Sequence, residues 1–235
     1  MNFEFHYSLD KIGKPVDPNE WGMTPQTVNA YYNPNRNEIV FPAGILQPPF
    51  FNMNADDAIN YGSIGLVIGH EMTHGFDNTG RQFDKDGNLR DWWTSEDSKA
   101  FIEHTNMLVD QYNHYEVLDS VFVNGKLTLG ENIADLGGAM VAFNAYKLSL
   151  TGKPDPAPID GFTNYQRFFL AYAQIWRANV RDKELRKIVK TNEHSPDRVR
   201  VNGVVYNMPE FYSAFPTVKQ VDKLFRTVGQ RPLIW

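Results

Sequence analysis

The sequence contains no cysteine among its 235 residues. Disulfide frameworks, catalytic thiolates and cysteine-ligated zinc sites are therefore excluded, and any metal would need His, Asp or Glu ligands. No apolar run approaches the roughly 20 residues of a membrane-spanning helix. The first residues, MNFEFHYSLD, lack the basic start and apolar stretch of a signal peptide. We therefore expect neither a leader nor a membrane segment in this chain.

Basic residues are outnumbered by acidic ones, 23 against 28, so the formal net charge is −5. Lys and Arg form no cluster, which excludes the usual nucleic-acid-binding surface. Apolar residues make up 42% and charged residues 22%, values typical of a globular domain and unlike those of disordered chains. Aromatic residues reach 14%, which suits a well-filled core or an apolar cleft.

Apolar spacing predicts a mainly helical chain with a few strands and no domain boundary. Periodicity and capping signals predict helices at about 56–75, 95–115, 129–150, 163–180 and 182–191. Strand patterns predict a hairpin over 28–42 and a short strand-like piece at 121–128, around Asn124-Gly125. Loops are expected to dominate 8–25, 77–91, 152–161 and 196–235.

The most informative segment is the pentapeptide HEMTH at residues 70–74. Residues i and i+4 share one face of a helix, so His70 and His74 can bind the same ion. Glu71 lies about 100° further round, where its carboxylate can reach a water on that ion without ligating it. Zinc lowers the pKa of bound water to about 7, and a neighbouring carboxylate can accept the proton. The alternative is an amphipathic helix with two solvent-facing histidines, which the apolar flanking residues disfavour.

A catalytic zinc needs a third protein ligand and one open position. The segment LGENIAD at 129–135 supplies Glu131 and Asp135, four residues apart and hence on one helical face. We predict Glu131 as the third ligand and Asp135 as the acceptor of the outer N–H of a zinc-bound histidine. Asp77 is a second candidate for the acceptor role, on the other histidine. The alternatives are that Thr128 and Glu131 form a capping box and that Asp77 only shapes a loop turn.

The combination of HEMTHGFD at 70–77 with ENIAD at 131–135 resembles the neprilysin family of zinc metallopeptidases, which includes neprilysin, the endothelin-converting enzymes and bacterial oligopeptidases. The resemblance extends from Asn29 to Trp235. It implies an α+β, mainly helical fold, namely a thermolysin-like (gluzincin) zinc peptidase lobe with a small sheet over residues 1–235. It also implies one Zn²⁺ per chain and hydrolysis of short peptides on the amino side of hydrophobic residues.

The resemblance further implies roles for residues outside the two motifs. An Asn-Ala-Tyr segment hydrogen-bonds the substrate backbone in the family, and it corresponds here to Asn29, Ala30 and Tyr31. A family histidine that stabilises the oxyanion corresponds to His194, and an arginine that holds a substrate carbonyl corresponds to Arg200. Taken from the residues alone, a plain hairpin strand and a surface histidine would be the alternatives.

An apolar specificity pocket beside the metal is also implied. Its expected walls are Phe50, Leu66, Val67, Ile175 and Trp176, with Ile45 nearby. Each of these residues would suit a core position equally well, so the predicted pocket depends on all of them together and not on any single residue. Together with Glu71, His194 and Arg200, Asp135 completes the expected catalytic set.

The chain departs from the family in length and in its lack of cysteine. Relatives carry a large helical lid domain before this region, which is missing here, and animal members carry disulfides. We therefore expect a shortened or processed catalytic lobe of a bacterial member, located in the cytoplasm or cell envelope. The alternative is a non-catalytic lobe that binds zinc or peptide and needs a missing domain or a partner chain. The presence of Glu71 and His194 argues against loss of catalysis.

Overall fold

A computed structural model describes residues 2–17, 19–218 and 222–234, so Trp235, where the resemblance ends, lies outside the described residues. The elements in chain order are α1 (Asn2–Leu9), β1 (Tyr31–Asn33), β2 (Glu38–Val40), α2 (Asp57–Asn60), α3 (Leu66–His74), α4 (Ser95–Asn113), β3 (Glu116–Leu118), β4 (Val121–Phe122), α5 (Leu129–Ser149), α6 (Asn164–Ile175), α7 (Asp182–Thr191), α8 (Asp197–Val205) and α9 (Pro209–Ala214). The strands form two antiparallel pairs, β1–β2 and β3–β4. The predicted mainly helical α+β fold with a small sheet is confirmed.

Capping residues set the starts of the predicted helices. Thr94 accepts a hydrogen bond from the Asp97 amide at 3.1 Å and begins α4. Thr163 and Gln166 exchange side-chain and backbone hydrogen bonds in a full capping box that begins α6. Asp56 accepts from the Ala58 amide and begins α2. Each cap satisfies an amide that the first helical turn leaves without a partner.

Several predicted boundaries were wrong. The region 196–235 is mixed and loop-rich as predicted, but its two helices, α8 and α9, were not located from the sequence. Helix α8 is too short to show a clear apolar periodicity in the sequence. Its Val199 and Val204 are buried in the core, so tertiary packing stabilises a helix whose local signal is weak. The helix predicted to reach residue 180 ends at Ile175. The second strand pair turns at Ser120, whose φ is +58°, and lies before Asn124-Gly125.

The core surrounds α5, which is buried along most of its length. Ile133 and Leu136 on α5 are almost completely shielded from solvent. Further along, Phe143 packs edge-on against Phe168 of α6, with ring centroids 5.0 Å apart. Such aromatic contacts add to the area that they bury and fix the position of α5 in the core. Among the described residues, no helix combines the length and apolarity needed to cross a bilayer.

A π-helical segment, Tyr61–Gly65, joins α2 to α3 without a break. The three segments together correspond to the helix predicted over 56–75. It approaches α5 so closely that a Cβ on Gly69 would lie 2.7 Å from the backbone oxygen of Gly138. A Cβ on Gly138 would lie 2.5 Å from the amide nitrogen of His70. Only glycine fits at such positions. The contact brings the turn of α3 that carries His70 onto the turn of α5 that carries Asp135.

We expect Gly138→Ala to destabilise the fold by about 1–3 kcal/mol, because the added methyl must push α5 away from α3. Gly229→Ala is the matched control, since a Cβ there meets nothing within 4 Å. Urea unfolding followed by circular dichroism measures both. Equal stability of the two variants would contradict the close packing of these helices.

Candidate metal centre and cleft

Each of the two histidines on α3 is oriented by a carboxylate. The Nδ1 atom of His70 lies 2.8 Å from Asp135 Oδ1, and that of His74 lies 2.7 Å from Asp77 Oδ2. In this arrangement each Nδ1–H donates to its carboxylate, so each Nε2 presents a lone pair when the ring is neutral. The two Nε2 atoms face each other across 3.0 Å. The lone pairs of two neutral imidazoles repel each other at this distance, unless a proton or a metal cation lies between or beside the two Nε2 atoms.

Glu131 on α5 adds a carboxylate to the same point. Its Oε2 lies 3.3 Å from His70 Nε2, and its Oε1 lies 3.7 Å from His74 Nε2. Oε2 is buried and, among the described residues, receives no hydrogen bond of good geometry. A buried carboxylate oxygen without a well-aligned donor is costly unless a positive charge lies beside it. Two imidazole nitrogens and one carboxylate are a donor set that zinc prefers, so these residues fit the metal that the sequence implies.

The local electrostatics also favour a positive charge at this point. Burial lowers the pKa of His70, but hydrogen bonds to Asp135 and Glu131 outweigh burial and raise this pKa to about 9. Burial raises the pKa of the Glu131 carboxyl, but His194 and His70 bring it far below its usual range. Burial likewise opposes ionisation of Asp135, yet Arg200 and His70 hold its pKa at about 2. The site therefore favours a positive charge beside His70, which a bound cation can supply in place of a proton.

Glu71 lies beside the histidines and is buried. Its carboxylate and the nearest ring nitrogens of His70 and His74 lie within 4.8 Å of one another. Burial is the largest influence on this carboxyl and raises its pKa above the ordinary value. A carboxylate with a raised pKa accepts a proton more readily than an exposed one, which suits a general base.

Arg200 on α8 is held rigidly behind the centre. Its Nε donates to Asp135 Oδ2 at 2.7 Å, and its Nη2 donates to Asp135 Oδ1 at 2.6 Å. The guanidinium also lies over the Trp176 ring, 3.8 Å from the centroid. Burial favours the neutral guanidine, but the Asp135 carboxylate outweighs burial and raises the pKa of Arg200. Asp135 therefore fixes a histidine and an arginine at the same time.

His194 reaches the centre from the turn between α7 and α8. Its Nε2 lies 3.1 Å from Glu131 Oε2, and its Nδ1 lies 3.0 Å from Asn192 Oδ1. Asn192 also accepts the backbone N–H of His194 at 2.8 Å. Because Nδ1–H donates to Asn192, Nε2 carries an N–H toward Glu131 and the cleft only when the ring is doubly protonated. That imidazolium form is the donor that stabilisation of a developing oxyanion requires.

One cleft of about 500 Å³ is lined by the residues of this centre, namely His70, Glu71, His74, Asp77, Glu131, Asp135, His194 and Arg200. Its lining also includes Asn29, Ala30, Tyr31, Ile45, Phe50, Leu66, Val67 and Trp176. Ile175 packs against the apolar cluster behind this wall. The hairpin predicted over 28–42 begins only at Tyr31, so Asn29 and Ala30 lie in the segment that leads into β1. The structure thus brings the sequence-predicted residues together around a single cavity.

The capping-box interpretation of Glu131 is wrong. Thr128 precedes α5 but makes no side-chain capping bond, and its hydroxyl instead donates to the Asn124 carbonyl at 3.1 Å. The carboxylate of Glu131 points to the histidines. The loop-turn alternative for Asp77 describes only its Oδ1, which accepts from the Thr79 amide at 2.7 Å, while Oδ2 contacts His74.

Sequence reasoning missed two residues beside His194. Asn192 has a recognisable signal, since an Asn two residues before a turn position commonly accepts that residue's backbone N–H. Glu193 lines the cleft, with its carboxylate, a Glu131 oxygen and a His194 nitrogen within 4.8 Å of one another. Its exposed carboxylate carries no periodic or motif signal that would have identified it.

A model of Peptidase family M13 matches residues 29–231, which is most of the chain. The chain belongs to peptidase family M13. The resemblance to the neprilysin family is thereby confirmed. Endothelin-converting enzyme 1 of Homo sapiens is 46% identical to this M13 chain over 217 residues, which cover 92% of the chain and 28% of the relative. An endothelin-converting enzyme homolog of Locusta migratoria is 46% identical over 210 residues, 88% of this chain and 29% of the relative.

Solved M13 structures share the fold. The zinc metalloprotease Zmp1 of Mycobacterium tuberculosis, in complex with an inhibitor, superimposes with a TM-score of 0.95 at 51% identity, over 99% of this chain and 36% of that one. PepO from Lactobacillus rhamnosis gives a TM-score of 0.83 at 39% identity, over 95% of this chain and 34% of that one. The M13 chain described here thus spans about 29% of the length of the curated relatives it matches.

We expect Asp77→Asn to lower zinc affinity about 10- to 100-fold with little change in thermal stability. Asn retains the Oδ1 that accepts from Thr79 and Gly80, but the NH2 group that replaces Oδ2 cannot accept the hydrogen bond from Nδ1–H of His74. Competition with a fluorescent zinc chelator measures the affinity.

The control for Asp77→Asn is Asp110→Asn, which alters a fully solvated Asp–His pair with Oδ1 3.8 Å from His114 Nδ1. That variant should bind zinc as the wild type does. Unchanged affinity in Asp77→Asn would remove Asp77 from the metal centre.

Proposed function

We propose that these 235 residues form the catalytic region of a zinc metalloendopeptidase, with one zinc ion held by His70, His74 and Glu131. The observation that carries the proposal is the pair of Nε2 atoms 3.0 Å apart beside the buried Oε2 of Glu131, which lies 3.3 Å from His70 Nε2. Three protein ligands leave a position open to water or substrate, which is the pattern of catalytic rather than structural zinc. A zinc ion bound there supplies Lewis acidity, which polarises a carbonyl and acidifies water.

Glu71 is the general base in this proposal. Its carboxylate takes a proton from the attacking water and later delivers it to the leaving amine, as an acid and base of intermediate pKa can do. Burial raises its pKa and so prepares it for both roles. Its position next to His70 on α3 keeps the proton transfer within the cleft.

His194 and Arg200 supply hydrogen bonds to the substrate. In its imidazolium form His194 donates from Nε2 toward the negative charge that develops on the scissile carbonyl oxygen, a contribution worth about 3–4 kcal/mol when such a donor is well placed. Asp135 uses Nε and Nη2 of Arg200, and we assign Nη1 to a substrate carbonyl. The stacking of Arg200 on Trp176 limits its movement and so lowers the entropy cost of this contact.

The substrate is proposed to be a short peptide bound in extended form. Among the described strands β1 pairs only with β2, so its other edge can pair with a peptide backbone near Asn29, Ala30 and Tyr31. The apolar wall of Phe50, Val67 and Trp176 would accept a hydrophobic side chain on the carboxyl side of the scissile bond. The expected bacterial cytoplasmic or envelope location stays a prediction.

We expect Glu71→Gln to retain zinc while peptide hydrolysis falls by at least 1000-fold, since the amide cannot accept the proton of the attacking water. Turnover of a fluorogenic peptide and zinc content by elemental analysis give the two readouts. Glu103→Gln on the exposed face of α4 is the control and should behave as the wild type.

Retained turnover in Glu71→Gln would remove Glu71 from the mechanism. Absence of chelator-sensitive hydrolysis in the wild type would instead favour the non-catalytic alternative. The two results distinguish a wrong base from a wrong function.

We expect Phe50→Ala to lower kcat/KM about 10- to 200-fold for peptides with Leu or Phe after the scissile bond. Peptides with Ala at that position should lose less, because they do not reach the missing wall. Phe122→Ala, which truncates an exposed ring on β4, serves as the control. An equal loss for both peptide series would show that Phe50 supports the fold and does not select the substrate.

A further inference from the structure

The asparagine in the ENIAD segment has no role in the chemistry described above, yet it is fully buried. Asn132 directly follows Glu131 on α5. Its Oδ1 lies 2.8 Å from Ser195 Oγ, and its Nδ2 donates to Thr128 Oγ1 at 2.9 Å. A buried amide with both ends hydrogen-bonded stabilises one arrangement of the segments that it joins.

The direction of this hydrogen-bond chain is determined. The Thr128 hydroxyl has one proton, which it donates to the Asn124 carbonyl at 3.1 Å. Thr128 must therefore accept from Nδ2 of Asn132, which turns Oδ1 of the amide toward Ser195. Ser195 in turn must donate its hydroxyl proton to Asn132. Each group in the chain has its partner, and none can reverse without loss of a bond.

Ser195 is the residue after His194, and it is buried, whereas the His194 side chain is 43% exposed. Packing therefore fixes the imidazole only weakly. The Ser195–Asn132 bond attaches this turn to the part of α5 that carries Glu131. It thereby controls the position of His194 relative to Glu131, where Nε2 and Oε2 are 3.1 Å apart.

We propose that Asn132 and Ser195 are positioning residues that hold His194 at the metal centre. The inference rests on the proposed peptidase function, in which His194 donates to the developing oxyanion. Displacement of a catalytic donor by about 1 Å can cost two orders of magnitude in rate, so loss of this attachment affects turnover more than binding.

The decisive variant is Ser195→Ala, which removes one hydroxyl. We expect kcat to fall at least tenfold while KM and zinc affinity change less than threefold. Ser195→Thr restores the hydroxyl and should return kcat to within threefold of the wild type. A small cavity of about 110 Å³ next to Ser195 leaves space for the added methyl group.

A double-mutant cycle with His194→Ala tests the route of the effect. If Ser195 acts through His194, Ser195→Ala causes no further loss of kcat in the His194→Ala background. Ser149→Ala is the matched control, since it removes a hydroxyl that donates to the Tyr146 carbonyl at the far end of α5. This control should leave kcat unchanged.

Hydrogen exchange on the metal-free protein supplies a readout that does not depend on activity. We expect faster amide exchange over 192–196 in both Ser195→Ala and Asn132→Ala, with unchanged exchange in α4. If the wild type hydrolyses no peptide, the proposed function fails while this measurement still decides the positioning role.

Three results would overturn the proposal. They are wild-type kcat in Ser195→Ala, an equal loss from Ser195→Ala in the His194→Ala background, and unchanged exchange over 192–196. A loss of kcat that Ser195→Thr does not reverse, together with lower zinc content, would assign these residues a structural role only.

Discussion

The cleft depends on the meeting of two imidazole nitrogens 3.0 Å apart, each oriented by a carboxylate on its far side. This geometry favours a positive charge, and Asp135 and Glu131 raise the pKa of His70 in the same sense, against the effect of burial. A divalent cation beside Glu131 can satisfy the carboxylate and both imidazoles at once. The remaining features of the cleft, from Glu71 to Arg200, are arranged around this point.

Helix packing makes the arrangement possible. Two ligands lie on α3 and the third on α5, so the helices must approach more closely than side chains at their contact would allow. Gly69 and Gly138 remove those side chains at the crossing. Asp135, one of the most deeply buried residues, then joins the helices electrostatically through His70 and brings in Arg200 from α8. Stability and function therefore share the same contacts in this protein.

The metal centre was predictable from sequence because its geometry is mostly local. The spacing of His70 and His74 on one helix determines their common face, and the same holds for Glu131 and Asp135. The resemblance to a known family supplied His194, which lies on a turn without periodicity. Element boundaries in the final forty residues could not be predicted, because α8 and α9 are too short for a clear pattern and form through burial against the core. The Asn132–Ser195 contact joins residues far apart in sequence, and no local pattern encodes it.

The central claim is that His70, His74 and Glu131 bind one zinc ion. X-ray absorption spectroscopy at the zinc edge, on protein loaded with one equivalent of zinc, tests this most directly. The account predicts two imidazole nitrogens together with oxygen ligands at about 2.0–2.2 Å, in a site that retains a water. A spectrum with fewer than two imidazoles, or with six oxygen ligands, would contradict it.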